Sequence, residues 1–543
     1  MSRGQAEDGT VATRALLRHA LAMACLLATP WALHPQESEK LDRCPDHPRL
    51  LEEQAALRIE QGRPAEAEIL AGRLLRVLSA SAAASAAGSD SGSDSGWDYG
   101  WELLAVSRYL QDDTRGALRA WNQGRTRTVR SVEVLLFSSA GPDRKGRGAA
   151  AAGLAGIPAG RPLTVEGLVR GERKLAAIPA ASSARLAYRA LPSGEASVEG
   201  TVVLRQMNPL GRLHPVDLAV HAARLVTGRV HLVSADPLGH LERWEFAGSL
   251  EGTLQAAALS LAHPAPRGTG VWRWSLEHDS GRHAFHDPSA GSDVIVRQER
   301  TGMAWSHSDW VTAILRGSVE GRLDLHSGRG TLAGAGMAWS LVPLDGRGRI
   351  ELSGTGWTQV GGGPDAGGRF GTGERGPFGR VAIQATLPPD ISSWAQAPSG
   401  FDLRLGILAV SARTPLDLVP RIGSGGHVDV LMRARSDIDG RGIVRPILPG
   451  SAWVHGGIEF LRPVGAFGPV ALGIGVFADG ARVLSRSASP AAEKARPASS
   501  LHLGLGLRAR VPGVEGWLRT DWGIDPADGS STISAAWVRA GLP

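Results

Sequence analysis

The sequence is poor in the residues that stabilise disulfide-rich or metal-binding folds, and it lacks the long apolar runs of membrane helices. Only 2 of its 543 residues are cysteines, and aromatic residues make up 5%. Cys25 lies in an apolar N-terminal segment that we expect to be removed, which leaves Cys44 without a partner for a disulfide or a zinc site. After residue 40 no stretch approaches the roughly 18 consecutive apolar residues of a transmembrane helix, which excludes a helical membrane bundle.

The sequence also lacks a concentration of charge of one sign. Lys and Arg total 59, Asp and Glu total 53, and the net charge is +6 with a pI of about 9.8. The basic residues are scattered singly among acidic ones and form no basic run. This pattern is typical of solvated charge and argues against a nucleic-acid partner.

Motifs that carry known chemistry are missing as well. No G-x-S-x-G, H-E-x-x-H, phosphate loop or C-x-x-C is found, so we predict no catalytic residue, no cofactor and no enzymatic activity. His283, His286 and Asp287 follow His278 and Asp279 closely, and a metal site there is conceivable. We interpret the group as a turn between strands and assign no metal ligand.

The N-terminus has the pattern of an export signal. Arg14 and Arg18 precede an apolar run from Ala20 to Leu33, which is too short to span a bilayer comfortably. We therefore predict a signal peptide over residues 1–34. A buried amphiphilic helix is the alternative.

Residues 45–125 are predicted to form a helical module of two degenerate repeats. The second pair of helices resembles a tetratricopeptide repeat, and Ala67 takes the place of Ala117 in the first pair. The low-complexity segment 79–96 has the composition of a flexible linker inserted between the pairs. Binding of a periplasmic protein and a simple helical cap are both open as roles for the module. The residues that carry the repeat resemblance and are expected to pack its helices are Trp101, Leu104, Ala105, Ala117 and Trp121.

Residues 126–207 are predicted to form a small α+β domain. The order is a strand over 126–137, a basic loop over 141–152, a helix over 163–178 and a final pair of strands. The run from Gly160 to Pro179 and the two strands after it resemble a polypeptide-transport-associated (POTRA) domain of the BamA/TamA-like outer-membrane assembly family. The resemblance implies a periplasmic domain that handles client chains by strand addition to an exposed sheet edge.

Residues 208–543 alternate apolar and polar side chains over more than 300 residues, with turns rich in Gly, Pro and Asp. In the segment 501–510, leucines at 501, 503, 505 and 507 alternate with His502, Gly504, Gly506 and Arg508. A closed sheet with a lipid-facing exterior and a wet interior explains such alternation, and roughly 20 residues per strand and turn predict about 16 strands. The fold class is therefore a transmembrane antiparallel β-barrel behind the two smaller modules. Tryptophans near strand ends are candidates for interfacial girdles, and others for ordinary packing.

One segment of this barrel resembles a second feature of the BamA/TamA-like family. The run from Gly425 to Arg435 resembles the family's inward-folded loop, and Arg433 aligns with the arginine at its tip. Ala434 and Arg435 replace the glycine and the aromatic residue that follow in the family. The segments around Glu459 and Asp479 resemble the strand motifs that contact this loop in the family. Arg433 is therefore predicted to lie within salt-bridge distance of Asp479 or Glu459. Alternation places Asp479 in the lumen, and a guanidinium is a suitable anchor for carboxylates.

The resemblance implies an outer-membrane assembly, insertion or translocation factor. Its partners are expected to be unfolded outer-membrane or secreted client proteins and the lipid of the bacterial outer membrane, with the N-terminal domains in the periplasm. A two-partner-secretion pore for a dedicated exoprotein and a passive, structural barrel are the alternatives.

Overall fold

The computed structural model describes most of the chain in two compact units. The units are 1–132, 158–168 and 187–198 for the first, and 133–157, 169–186 and 199–543 for the second. The described residues are 46–85, 94–124, 128–138, 141–142, 147–191, 195–205, 229–251, 253–265, 270–287, 292–327, 330–344, 348–361, 377–387, 400–411, 414, 418–424, 428–439, 441, 443–445, 448, 450–468, 470–485, 499–510 and 517–538. The predicted signal peptide lies outside them.

Four helices open the first unit: α1 Pro48–Glu60, α2 Pro64–Ser85, α3 Asp94–Leu110 and α4 Thr114–Gly124. Asp113 caps the start of α4, since its Oδ1 accepts a hydrogen bond from the Gly116 amide at 2.9 Å. The segment 79–96, predicted as a flexible linker, is helical at both ends. Alanines favour the helix and let α2 continue through residue 85, so the prediction is wrong for 79–85, whereas residues 86–93 of the predicted linker lie outside the described residues.

The next elements are β1 Val129–Ser138, β2 Gly141–Pro142, α5 Arg147–Ala155, α6 Val165–Ala176, β3 Ala181–Ala190 and β4 Ala196–Leu204. The strands form one sheet in the order β2-β1-β4-β3. The basic loop predicted over 141–152 is wrong, because helix α5 begins at Arg147. Its alanine-rich run buries Ala151, Leu154 and Ala155, a short apolar face that basic flanking residues obscure in the sequence.

The remaining strands form a single large antiparallel sheet. They are β5 Arg229–Ala235, β6 Arg243–Glu251, β7 Leu254–Pro264, β8 Val271–Asp287, β9 Ser292–Trp310, β10 Leu315–His326, β11 Gly330–Leu341, β12 Arg349–Gly361, β13 Phe378–Leu387, β14 Gly400–Val410, β17 Ala452–Phe467, β18 Val470–Ser485, β19 Ser499–Arg510, β20 Trp517–Ile524 and β21 Ser531–Val538. The order follows the chain from β5 to β21, with β14 pairing directly with β17. Two short parallel strands, β15 Ile422–Gly423 and β16 Val430–Leu431, lie in the connection between those two.

This sheet curls around a lumen. A cavity of about 1240 Å³ is lined by Val230 of β5, Gln384 of β13 and Ala536 of β21, which are near the start, the middle and the end of the sheet. Strands that lie so far apart in the order border one space only if the sheet bends round it. The predicted antiparallel barrel is thereby confirmed, with fifteen described strands and with β5 and β21 at the two ends of the order.

The side chains alternate across the curled sheet as predicted. In β19, Leu501, Leu503, Leu505 and Leu507 are 41–53% exposed on the outside, whereas His502 and Arg508 are 0% and 2% exposed on the inside. Among the candidate girdle tryptophans, Trp339 and Trp522 are exposed, whereas Trp357 and Trp453 are buried packing residues. None of the helices in the described residues is both long and apolar enough to cross a membrane.

Candidate functional site

The described residues of the connection between β14 and β17, which runs over 411–451, are called the inner loop below. Its two short strands pair in parallel, so that Met432 donates from its amide to Gly423 O at 2.8 Å. Arg421 links three parts of the inner loop, because its Nε lies 2.6 Å from Asp437 Oδ2 and its amide donates to Asp429 Oδ2. A segment held by its own hydrogen bonds in this way presents a defined surface to the barrel wall.

An apolar cluster seats the inner loop against the inside of three strands. Trp453 of β17 is 1% exposed, and its Nε1 donates to Leu448 O at 2.9 Å. Met432 is fully buried beside it. The loop contributes Ile422, Val430, Met432 and Leu448, and the wall contributes Leu408, Trp453, Ala481 and Val483. Burial of this apolar area stabilises the docked loop. The hydrogen bond from Trp453 fixes the position of Leu448 relative to the wall.

Arg433, at the tip of the inner loop, is fully buried among the carboxylates of two neighbouring strands. Its Nε and Nη2 donate to the two oxygens of Asp479 at 2.7 and 2.8 Å, and its Nη1 donates to Glu459 Oε2 at 2.6 Å. The bidentate pairing with one carboxylate fixes the plane of the guanidinium, and the second carboxylate fixes its remaining edge. The structure thus brings together the three residues singled out as a lumen anchor.

Two further charged residues complete this cluster. Arg508 of β19 places Nη2 2.5 Å from Glu459 Oε1 and donates from Nη1 to Asp521 Oδ1 of β20 at 2.7 Å. Asp521 Oδ1 also lies 3.9 Å from Arg433 Nη1. We call Arg433, Glu459, Asp479, Arg508 and Asp521 the anchor cluster; its members lie on the loop and on β17, β18, β19 and β20. Three carboxylates facing these arginines offset the cost of removing each charge from water.

The backbone next to Arg433 is also held. The Ala434 amide donates to His502 Nδ1 at 3.0 Å, which requires an unprotonated nitrogen at that position. Arg435, in the place of the family's aromatic residue, forms ion pairs with Asp525 and Asp528 in the turn after β20. The changed tip therefore keeps contacts to the wall through a backbone amide and a surface guanidinium.

Glycines in the wall make room for the tip. A Cβ at Gly523 would lie 2.8 Å from Arg433 O and from Ala434 N, both of which are backbone atoms. A Cβ at Gly475 would lie 2.7 Å from Glu459 Oε1, and side chains at Gly504 and Gly506 would meet Phe477 and Arg508. The lumen face of these strands is rich in both glycine and charge. Its glycines leave room for the loop backbone and for the side chains of Glu459, Phe477 and Arg508.

The ring of Phe477 lies under the Arg433 guanidinium, whose Cζ is 3.5 Å from the ring centroid. Phe477→Leu keeps an apolar side chain but removes the cation–π contact, which is worth up to about 2 kcal/mol where it is desolvated. We expect the amides of residues 430–435 to exchange about 5 to 30 times faster with deuterium, as measured by mass spectrometry. Unchanged exchange would show that the Phe477 ring contributes apolar packing and no cation–π stabilisation.

Sequence reasoning missed Asp521, Arg508, Phe477 and His502 as members of this site. Alternation had placed Arg508 and His502 on the lumen side of β19, which is where they lie. Nothing in the pattern connects them with Arg433, since the contact depends on which strands face the folded loop.

The other residues singled out in the sequence lie elsewhere. In the helical module Leu104, Ala105, Ala117 and Trp121 are buried, and Trp101 is partly buried. The interpretation of residues 283–287 as a turn is wrong, because β8 continues through Asp287 and pairs with β9 to its end. Asp279 forms an ion pair with Arg300. No group of three or more His, Cys, Asp or Glu side chains in the described ranges is arranged to hold a metal ion.

The chain matches no protein-family model and no curated protein sequence. It is similar to solved outer-membrane barrels. BamA from Haemophilus ducreyi lacking POTRA domains 1–3 is 10% identical, with a TM-score of 0.42 over 76% of this chain and 85% of that one. CdiB from Acinetobacter baumannii is 12% identical, with a TM-score of 0.42 over 80% and 81% of the two chains. CdiB from Escherichia coli is 12% identical, with a TM-score of 0.38 over 83% and 98%. TM-scores below 0.5 do not establish a shared activity.

Proposed function

We propose that this protein is an outer-membrane barrel that assembles, inserts or translocates unfolded client polypeptides. The observation that carries the proposal is the anchor cluster. It ties the tip of a long loop to β17, β18, β19 and β20, the four strands before the end strand β21. A loop fixed there braces the wall beside the end of the sheet, where a client strand would find unpaired backbone groups.

The outer surface of the barrel supports a membrane location. Large apolar side chains such as Leu276, Leu325 and Val476 are 56–57% exposed on strands spread around the sheet. A soluble protein rarely exposes so extensive an apolar surface, whereas hydrocarbon would cover it without cost. We propose the bacterial outer membrane as the location, with the N-terminal domains in the periplasm.

The four-stranded sheet supports a role in handling clients. β3 stands at one end of its strand order, so its outer edge pairs with no other described strand and could receive a client strand. Backbone pairing at such an edge is tolerant of client sequence. For the α1–α4 module we propose binding of a periplasmic protein, a role that the tetratricopeptide resemblance of its sequence would favour.

A depletion experiment tests the proposal against its alternatives. The protein is depleted in its host, and outer-membrane and secreted proteins are quantified by mass spectrometry; wild-type protein supplied from a plasmid is the control. We expect many outer-membrane barrels to decrease together. Loss of one secreted protein alone would favour a two-partner-secretion pore, and no change in either set would favour a passive barrel.

A further inference from the structure

A buried histidine of the barrel wall contacts the tip of the inner loop. His502 of β19 is fully buried and lies opposite Asp479 of β18, the carboxylate that receives Arg433. The Ala434 amide donates to its Nδ1 at 3.0 Å. Histidine is the side chain whose charge ordinarily changes between about pH 5 and pH 8, so this contact can depend on pH.

Hydrogen bonds on both sides of the ring assign its protonation state. Nε2 of His502 lies 3.0 Å from Ser500 Oγ, and Ser500 Oγ donates to Asp525 Oδ2 at 3.0 Å. A hydroxyl group has a single hydrogen, and here the Asp525 carboxylate accepts it, so the Ser500 oxygen accepts a hydrogen from Nε2. His502 is therefore neutral, with its hydrogen on Nε2 and a lone pair on Nδ1 that accepts from the Ala434 amide.

A proton on Nδ1 would remove the contact with the loop. Two N–H donors, Nδ1 of His502 and the amide of Ala434, would then face each other at 3.0 Å. Ala434 is fully buried, and a buried donor that loses its acceptor destabilises the arrangement that buries it. The neutral ring thus favours the docked tip, and the charged ring disfavours it.

The groups that face the ring determine how readily it takes up a proton. Burial opposes the charge, and so does Arg435 of the inner loop. Asp525, whose Oδ2 lies 3.6 Å from Nε2, and Asp479 favour the charge, as does the backbone carbonyl of Met432. Both carboxylates are already paired with arginines of the inner loop, Asp479 with Arg433 and Asp525 with Arg435. The ring therefore stays neutral at neutral pH, and mild acid can protonate it.

We propose that His502 is a pH-sensitive latch, which holds the tip of the inner loop at neutral pH and weakens its hold in mild acid. When the tip leaves, the ring faces the water of the lumen, where an imidazole binds a proton at about pH 6.5. Because the docked ring is neutral, the ratio of docked to released loop falls by up to about tenfold for each pH unit below that value. Between pH 7.5 and pH 5.0 the ratio falls by up to about thirtyfold. The inference goes beyond the proposed function, since a passive barrel would have the same latch.

Hydrogen exchange of the full-length protein in detergent, measured by mass spectrometry at about pH 7.5 and about pH 5.0, tests the proposal. Each rate is divided by that of an unstructured peptide at the same pH, which removes the intrinsic pH dependence of amide exchange. In the wild type we expect the amides of residues 430–435 to lose protection by about fivefold to thirtyfold in acid, while those of β10 and β11 keep theirs. His502→Asn should remove this response, because its Oδ1 can accept from the Ala434 amide and does not titrate.

His278→Asn is the matched control, because His278 of β8 is exposed and its Nδ1 interacts with Thr301 Oγ1 of β9. We expect this variant to respond to pH as the wild type does. Phe477→Leu should also respond, although its tip is held less tightly, which separates loss of the pH response from loss of docking. Each variant is checked for heat-modifiable migration on gels, which reports a folded barrel.

The proposal is overturned if the wild type keeps the same protection at residues 430–435 at both pH values. It is equally overturned if His502→Asn loses as much protection in acid as the wild type does, or if β10 and β11 lose protection to the same extent as the loop.

Discussion

Arg433→Gln is expected to release the tip of the inner loop while the barrel stays folded. Glutamine is of similar length but uncharged, so Asp479 would keep only the more distant Arg404, 3.7 Å away, and Glu459 would keep only Arg508 as an ion-pair partner in the buried cluster. Removing one partner of a buried ion pair costs about 3–5 kcal/mol. Since about 1.4 kcal/mol is a factor of ten, we expect the amides of residues 430–435 to exchange roughly a hundred-fold to a thousand-fold or more faster.

Arg445→Gln is the matched control for this prediction. Arg445 belongs to the same inner loop and pairs with Asp293 and Asp439, but its side chain is 36% exposed. Exposed ion pairs contribute about 0–1 kcal/mol, so exchange of the same amides should rise by no more than about fivefold. Equal effects of the two substitutions would show that burial of Arg433 does not hold the loop.

A complementation experiment, combined with the exchange measurement, tests whether the anchor cluster serves the proposed function. If bracing of the wall supports client assembly, Arg433→Gln supplied to depleted cells should restore fewer outer-membrane proteins than Arg445→Gln does. If Arg433→Gln restores the outer-membrane proteins fully while its inner loop exchanges faster, the anchor cluster is not needed for the activity.

Gly523→Ala is expected to displace the loop without any change of charge. The added Cβ would lie 2.8 Å from the backbone of Arg433 and Ala434, and backbone atoms cannot rotate away as a flexible side chain can. Overpacking of this kind costs about 1–3 kcal/mol, so exchange at residues 430–435 should rise by about five-fold to a hundred-fold. The ion pairs of the anchor cluster would be lost with the displacement.

Gly480→Ala separates this steric effect from the general cost of changing a strand glycine. Gly480 lies in β18, and a Cβ there would meet its nearest neighbours, Leu501 Cδ1 and Ser500 O, at 3.9 Å, which is ordinary contact. We expect the amides of residues 430–435 to exchange as slowly in Gly480→Ala as in the wild type. If both variants behave alike, the recess at Gly523 is not what admits the loop.

The sequence by itself determined what depends on local periodicity. Alternation with a period of two shows which face of β19 points outwards and which points into the lumen, because successive side chains of a strand point to opposite faces. The alternating segment 501–510 lies within strand β19, Ser499–Arg510. Local periodicity gave the wrong element at two places. The predicted loop over 141–152 contains helix α5, and the predicted turn at 283–287 belongs to strand β8.

Only the tertiary structure decided which lumen groups meet. Arg433 and Asp479 are 46 residues apart, and their pairing was expected from the family resemblance, to which alternation added only that Asp479 faces the lumen. Asp521 and Arg508 joined the cluster because the sheet curls until β19 and β20 face the inner loop, a relation that strand alternation does not encode.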